Sequence, residues 1–428
     1  MKKFCELREM DLSGWIFVFA NLLFLFISLV FLISFLENRD KLKTKKAMPK
    51  KLPFVSIVIP AFNEGDVIEK CLEDVSSIDY PVEKMEVIIV NDGSGDDTLE
   101  KAEKKARELK KRKGIVFKIV SQKNKGKAAA LNKGISLAKG DYVATIDADS
   151  FPGKNAFKKM IPYFAEENVG SVTASVKVSS PKTFLQFLQY VEFLSMNYTR
   201  KTAALLDGIH CTPGPLSMFS KKALEKTGGF DNGNITEDTE MALHLQKEGF
   251  RIENAFDATV WSEAPYSIQG LLKQRVRWYH GAVYNARKYS FMFFNKKFGN
   301  LGWFTLPANF IAVVFAIFVL LRIFIDIGGK VLAIAWGITN SLAFGYAFPS
   351  VSIDLNPIYW LNVEIILVAF YVIVVMLGLR YSFKAAGEEF KLSHAPVYLG
   401  FLLLYSFVIT ISWGAGIVKW AFKRKPTW

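Results

Sequence analysis

The apolar run from Trp15 to Leu36 constrains this chain first, because it is about the length a helix needs to cross a bilayer. It is longer than a signal-peptide core and lacks a small-residue cleavage site, so it reads as a retained anchor. Its C-terminal flank carries Arg39, Lys41, Lys43, Lys45, Lys46, Lys50 and Lys51. The positive-inside rule puts that flank, and the region after it, in the cytoplasm. Further apolar runs lie at the far end: Trp303–Ile325, Val331–Phe348, Ile358–Leu379 and Pro396–Trp420. The second of these is weakened by Thr339, Asn340 and Ser341. Five spans are expected in all, which returns Lys423-Arg424-Lys425 to the cytoplasm; a re-entrant Val331–Phe348 would instead leave the tail outside. A mean hydropathy of +0.20 is too apolar for an ordinary soluble enzyme and agrees with this reading.

The net charge of +14 is not a sign of nucleic-acid binding. Juxtamembrane lysines facing anionic lipid explain part of it. The Lys101–Lys113 run explains more, as the solvated face of a helix. Cys5, Cys71 and Cys211 are too few and too scattered for a disulfide framework or a zinc site, and the four histidines fall in no metal-binding spacing.

Between the apolar ends, strands and helices alternate. Phe54–Ile59, Glu86–Val90, Ile115–Val120 and Tyr142–Ile146 read as apolar strands. Glu64–Val75, Asp97–Lys113 and Lys127–Ala138 read as helices. This alternation predicts an α/β fold, a mostly parallel sheet covered on both faces, with ligands bound beyond the carboxyl ends of its strands. Those ends carry Pro60-Ala61-Phe62-Asn63-Glu64, then Asn91-Asp92-Gly93-Ser94-Gly95-Asp96-Asp97, and then Asp147-Ala148-Asp149. Carboxylates delivered to one rim repel one another unless a cation or a donor-rich ligand lies between them. Helix capping accounts for Asn63, Ser94, Asp96 and Asp97, but less readily for Asp92 and Asp149. Two carboxylates one residue apart at a strand end suit Mg2+ or Mn2+, which combine one or two carboxylates with substrate phosphates; a solvated acidic turn is the plainer alternative. Neither a complete Gly-rich dinucleotide loop nor a Walker loop is present.

Val55–Glu64, Val90–Ser94, Asn124–Asn132 and Asp147-Ala148-Asp149 together resemble the successive motifs of family-2 inverting glycosyltransferases. These have a Rossmann-like GT-A fold and use nucleotide-diphosphate sugars. The resemblance implies that Glu64 and Asp92 hold the nucleoside, with Ala61 and Asn63 beside them on the donor. It implies that Lys127 lies near the nucleotide, that Asp147 contacts nucleotide or sugar, and that Asp149 ligates the metal.

Further on, Ser171–Val178 reads as a strand and Phe184–Leu206 as a long helix. The stiff loop His210–Ser217 matches the acceptor loop of the resembling enzymes, which assigns Gly214 and Pro215 to the acceptor. Thr236-Glu237-Asp238 opens a helix through Lys247. Capping by Thr236 and the macrodipole's preference for acids explain it structurally. It also resembles the base motif of membrane-embedded cellulose, chitin, hyaluronan and poly-N-acetylglucosamine synthases, which makes Asp238 the base and Glu237 its support. Gln274-Arg275-Val276-Arg277-Trp278 lies on a helix from about Ser267 to Tyr289, where Gln274, Arg277 and Trp278 share a face. An interfacial helix with snorkelling arginines is one reading. The motif also resembles one in the processive synthases, where Arg275 and Arg277 would face the donor diphosphate and Gln274 and Trp278 the acceptor sugar.

The expected organisation is an anchor over residues 1–37, a basic linker over 38–53 and a GT-A catalytic domain over 54–265. An amphipathic interfacial helix follows over 266–295, then a transmembrane region of three or four helices over 300–422. The resembling synthases commonly carry more helices before the catalytic domain than the one here, which bears on whether one copy forms a polymer channel. The expected activity is metal-dependent transfer from a nucleotide sugar, UDP-linked by analogy and UDP-N-acetylglucosamine among the candidates, to a growing polysaccharide. The rival is a single transfer to a lipid carrier or glycolipid. Membrane lipid is a partner on either reading, nucleic acid is not, and homo-oligomerisation is left open.

Overall fold

The computed structural model describes residues 12–38, 46–344 and 363–422. Arg39, Lys41, Lys43 and Lys45 of the basic flank, Cys5, and the Lys423–Lys425 tail lie outside them, as do residues 345–362 of two expected spans. The chain divides into two compact units, Met1–Ile33 with Ala308–Gly378, and Ser34–Pro307 with Leu379–Trp428.

In chain order, helix α1 (Leu12–Glu37) precedes β1 (Val55–Ala61), α2 (Ile68–Ser76), β2 (Met85–Asn91), α3 (Thr98–Lys113), β3 (Val116–Ser121), α4 (Lys127–Leu137) and β4 (Tyr142–Thr145). Then come β5 (Ser150–Pro152), α5 (Ala156–Met160), β6 (Val169–Val178), α6 (Phe184–Leu205), β7 (Ser217–Ser220), α7 (Lys221–Thr227), α8 (Glu237–Lys247) and β8 (Arg251–Ser262). The chain continues through α9 (Ile268–Lys288), α10 (Leu306–Phe344), α11 (Val363–Ala385), α12 (Ala395–Gly400) and α13 (Ser406–Ala421).

The strands form one sheet in the order β3-β2-β1-β4-β7-β6-β8-β5. The β3-β2-β1-β4 half is parallel, and β6 runs parallel to β8; β7 and β5 run antiparallel to their neighbours. The fold is therefore mixed α/β with a mostly parallel, GT-A-like sheet. Strands β1 and β2 are buried along their whole length, as a sheet covered on both faces requires. Ile57 and Ile59 pack one way with Leu72 of α2 and Leu109 of α3. Val58 packs the other way with Leu131 of α4 and Met241 of α8. Side-chain alternation along the strand puts these residues in two different cores. Register places Ala61, Asn91 and Ser121 level with one another, so the loops after β1, β2 and β3 open on the same rim.

One boundary differs from expectation, and two fall where the sequence placed them. Helix α2 begins at Ile68, not Glu64, because the intervening backbone is committed elsewhere. Asn63 sits at φ +55°, Glu64 N donates to Thr98 Oγ1 (2.7 Å), and Gly65 N donates to an Asp96 carboxylate oxygen (3.1 Å). Helix α3 stops where Gly114 adopts φ +75°, the left-handed cap that glycine tolerates best. The long α6 starts in a capping box in which Thr183 and Gln186 satisfy each other's backbone N–H groups.

Among the described residues, four helices are long and apolar enough to cross a membrane: Gly14–Glu37, Leu301–Ala343, Ile366–Ala385 and Ala395–Ala421. The two expected spans Trp303–Ile325 and Val331–Phe348 are thus not separate. Residues 306–344 form one helix, because Gly328 and Gly329 weaken helix propensity without removing a backbone hydrogen bond, as a proline would.

Candidate active site

A cavity of about 200 Å3 opens at the carboxyl end of the parallel strands. Of the residues read from sequence, Ala61, Glu64, Asp92, Lys127, Asp147, Asp149 and Arg277 line it. Asn63 does not. Its side chain is turned to the neighbouring loop, where Oδ1 accepts from Gly95 N (2.8 Å), while its own N–H donates to Ser94 Oγ (3.0 Å). Asn63 therefore ties the first rim loop to the second.

Asp92 is buried, and its two carboxylate oxygens accept from Gln122 Nε2 (2.7 Å), Lys125 N (3.0 Å) and Gly126 N (2.8 Å). Three protein donors already satisfy it, so its first task is to shape the loop that leads into α4. That loop delivers Lys127 at the first position of the helix. Lys127 Nζ lies 2.6 Å from Asp147 Oδ1 and 3.1 Å from Glu237 Oε1. Burial opposes its charge, but Asp147 and Glu237 more than offset this and hold Lys127 more firmly protonated than a free lysine.

The remaining rim carboxyls repel one another. Burial, and then the charges of Asp149 and Asp147, push Glu64 up to about 7. Burial and Asp147 push Asp149 up to about 6, although Ser150 donates to its Oδ1 (3.1 Å). Burial raises the Glu237 carboxyl too, against the pull of Lys127. Among the described residues no three His, Cys, Asp or Glu side chains are grouped closely enough to enclose a metal ion by themselves. Asp149 with Asp147 offers an open pair of hard oxygen donors. That donor set fits Mg2+ or Mn2+ when ligand phosphates and water complete the shell, and it does not fit a closed zinc site.

The loop from His210 to Ser217 and the start of α8 approach Lys127 and Asp147 without lining the cavity. A side chain on Gly214 would put its Cβ 2.5 Å from Asp147 Oδ2 and 2.6 Å from Lys127 Nζ, so any larger residue there displaces the tips of this pair. Asp238 Oδ1 accepts from Thr239 N (2.7 Å), its Oδ2 accepts from Cys211 Sγ (3.6 Å), and its carbonyl accepts from Thr212 Oγ1 (2.8 Å). Burial and the Asp238 charge push the Cys211 thiol up, which keeps it a donor. Thr236 occupies the N-cap position of α8 but does not cap it. Its hydroxyl accepts instead from Asn285 Nδ2 (3.0 Å), in a buried cluster where Asn234 Nδ2 donates to Asn285 Oδ1 (2.6 Å).

The arginines of α9 separate. Arg277 lines the cavity, whereas Arg275 is fully buried and pairs with Glu192 of α6. The expectation that Arg275 faces the donor diphosphate is corrected: its guanidinium points into the protein, because a carboxylate on another helix claims it. Gln274 and Trp278 are partly buried on the same helix.

Cys211, Asn234, Asn285, Glu192 and Tyr405 were not singled out from sequence. Cys211 alone had a local signal, lying inside the loop read as the acceptor loop.

Residues 56–228 match the family described as Glycosyl transferase family 2. The chain is 34% identical over 233 residues to poly-beta-1,6-N-acetyl-D-glucosamine synthase of Staphylococcus aureus (strain MSSA476), covering 54% of this chain and 55% of that protein. It is 32% identical over 244 residues to the synthase of the same name from Staphylococcus epidermidis, covering 56% and 58%. The chain thus spans about half the length of the curated relatives it matches. A mannosyltransferase from Pyrobaculum calidifontis, solved with GDP-Man and Mn2+, superposes with a TM-score of 0.59 at 18% identity, over 95% of this chain and 99% of that one. That likeness shows the fold alone, not a shared substrate.

Proposed function

We propose that this chain is an inverting, metal-dependent glycosyltransferase of the membrane, with its catalytic domain in the cytoplasm. It transfers a sugar from a nucleotide-diphosphate sugar to the hydroxyl of a growing polysaccharide. The observation that carries the reading is Lys127, whose ammonium joins Asp147 of the Asp-Ala-Asp strand end to Glu237 of the Thr-Glu-Asp helix start. Donor and acceptor machinery therefore meet at one side chain. UDP-N-acetylglucosamine is the first donor to test, in view of the staphylococcal relatives.

Asp238 acts as general base. It takes the proton of the acceptor hydroxyl as that oxygen bonds to the anomeric carbon and the bond to the nucleoside diphosphate breaks, which inverts the centre. Glu237 and Lys127 hold the base helix against the donor rim. Glu64 and Asp92 flank the nucleoside, Asp92 chiefly by shaping the loop before Lys127. Asp149, with Asp147 beside it, would hold Mg2+ or Mn2+, whose charge when bound offsets that of the leaving diphosphate. Arg277 adds positive charge from the cavity lining. Gly214 and Pro215 close the acceptor loop, and Gln274 and Trp278 offer the acceptor sugar a polar contact and an apolar platform.

The test uses protein purified in detergent or lipid, a panel of radiolabelled UDP- and GDP-sugars, added Mg2+ or Mn2+, and product sizing, with Asp238→Asn in parallel. A polydisperse product from one donor is expected. A single low-mass, solvent-extractable product would make the enzyme a lipid-directed transferase, and no turnover of any donor would overturn the reading.

A further inference from the structure

We propose that Arg275 is a positioning residue that fixes the acceptor platform from inside the protein, on a buried mount made of Glu192 and Tyr405. The inference rests on the transferase reading and goes beyond it by assigning roles to three side chains outside the cavity. Arg275 Nε donates to Glu192 Oε1 (3.2 Å), and Nη2 donates to Glu192 Oε2 and to Tyr405 Oη (3.3 Å). Nη1 donates to Gln274 Oε1. Tyr405 Oη in turn donates to Glu192 Oε2 (2.8 Å). The guanidinium carbon lies 3.9 Å from the centroid of the Trp278 ring. One planar fork thus grips Glu192 from α6 and Tyr405 from the turn before α13, and holds both residues of α9 expected to meet the acceptor.

Geometry excludes the donor diphosphate as the target of this arginine. Its side chain has no exposed surface, and four of the five N–H groups of a guanidinium are already directed at protein acceptors. Stability is a weak reason to keep such a group, since a buried ion pair replaced by apolar residues of similar size is often neutral or better. What the pair adds is orientation. Lysine could supply the charge, but not the flat face under Trp278 together with the fork.

The test replaces the whole mount, Arg275→Met with Glu192→Leu and Tyr405→Phe, so that no buried charge is left without its partner. Three quantities are compared with wild type: donor hydrolysis without acceptor, transfer to acceptor, and oxidation of Trp278 in hydroxyl-radical footprinting. Transfer is expected to fall about 10²-fold through the acceptor KM, with the donor KM within about twofold. Trp278 is expected to be oxidised several-fold faster. Equal loss of transfer and hydrolysis would make Arg275 a donor contact and overturn the proposal. Unchanged transfer with unchanged Trp278 labelling would leave the network merely structural and also overturn it. If the triple variant does not fold, Tyr405→Phe alone leaves the ion pair in place and is expected to move transfer and Trp278 labelling in the same direction by a smaller factor; no movement of either overturns the mount. Wild-type protein that turns over no nucleotide sugar would defeat the transferase reading itself, and Trp278 labelling would then decide the mount alone.

Discussion

Around the cavity at the strand ends, Glu64, Asp147 and Asp149 crowd one rim, with Lys127 drawn to Asp147 and Glu237, and two of the three carboxyls are pushed well up. Along α9 the same kinds of groups are matched. Arg275 meets Glu192, Asn285 meets Asn234 and Thr236, and Lys288 and Tyr289 both reach Glu240 Oε1 at 2.6 Å. The first region spends folding energy on unbalanced charge that a divalent cation, held between these carboxylates and ligand phosphates, would relieve. The second spends its polar groups on fixing where helices sit. Charge is left uncompensated on the first side and is largely paired on the second, where Glu240 Oε2 still lacks a hydrogen-bond partner among the described residues.

The comparison can be broken most sharply at Asp238. Asp238→Asn is expected to lower transfer by about 10²–10⁴-fold, the usual worth of a general base, while nucleotide affinity stays near wild type. A matching loss of affinity would move Asp238 out of that role. Next in size, Gly214→Ala is expected to cost about 10²-fold in kcat/KM by pushing the acceptor loop off the Lys127–Asp147 pair. A normal rate there would mean that the rim is looser than its contacts suggest.

On the matched side, Asn285→Leu strands Asn234 and Thr236. It is expected to destabilise the catalytic unit by about 1–3 kcal/mol, read as a lower thermal midpoint, with transfer retained at low temperature. The smallest effect is a pH dependence of stability at Glu64. Its carboxyl is raised in the folded protein from 4.5 to about 7. The folded state then holds the proton more tightly than the unfolded one, so stability without ligand falls as pH rises through that window. Glu64→Gln should flatten the fall, and partial exposure keeps the difference small. An identical pH profile in the variant would remove the strain assigned to the rim.

Much of this site was legible because the α/β pattern puts strand ends on one rim. Once Phe54–Ile59 and Glu86–Val90 read as strands, Glu64 and Asp92 had to share it, and Asp147 and Asp149 followed from the fourth strand, Tyr142–Ile146. Arg275 was misplaced because its partner Glu192 lies 83 residues earlier in sequence and Tyr405 lies 130 later. Local spacing identifies a helix face but not the helix that packs on it. Thr236 and Asn63 show the same limit on a smaller scale. Each has the chemistry of a cap, and a tertiary partner took the side chain instead. The joining of two expected spans into one helix reflects a different gap, since Gly328-Gly329 between the two apolar runs costs a helix only propensity.

The seam between α9 and α13 sets a limit on dissection. Tyr279 stacks on Trp413 with ring centroids 4.2 Å apart, and Gly416 leaves so little room that a Cβ there would lie 2.9 Å from His280 N. An expression fragment that stops at Pro307 would keep every motif of the donor rim yet lose Tyr405, Trp413 and Gly416. It would expose a hydrophobic flank and leave the Arg275–Glu192 pair without its cover. The last apolar helix is in this sense a component of the catalytic half rather than a detachable tether, and a graft that exchanges membrane regions between related enzymes has to carry it along.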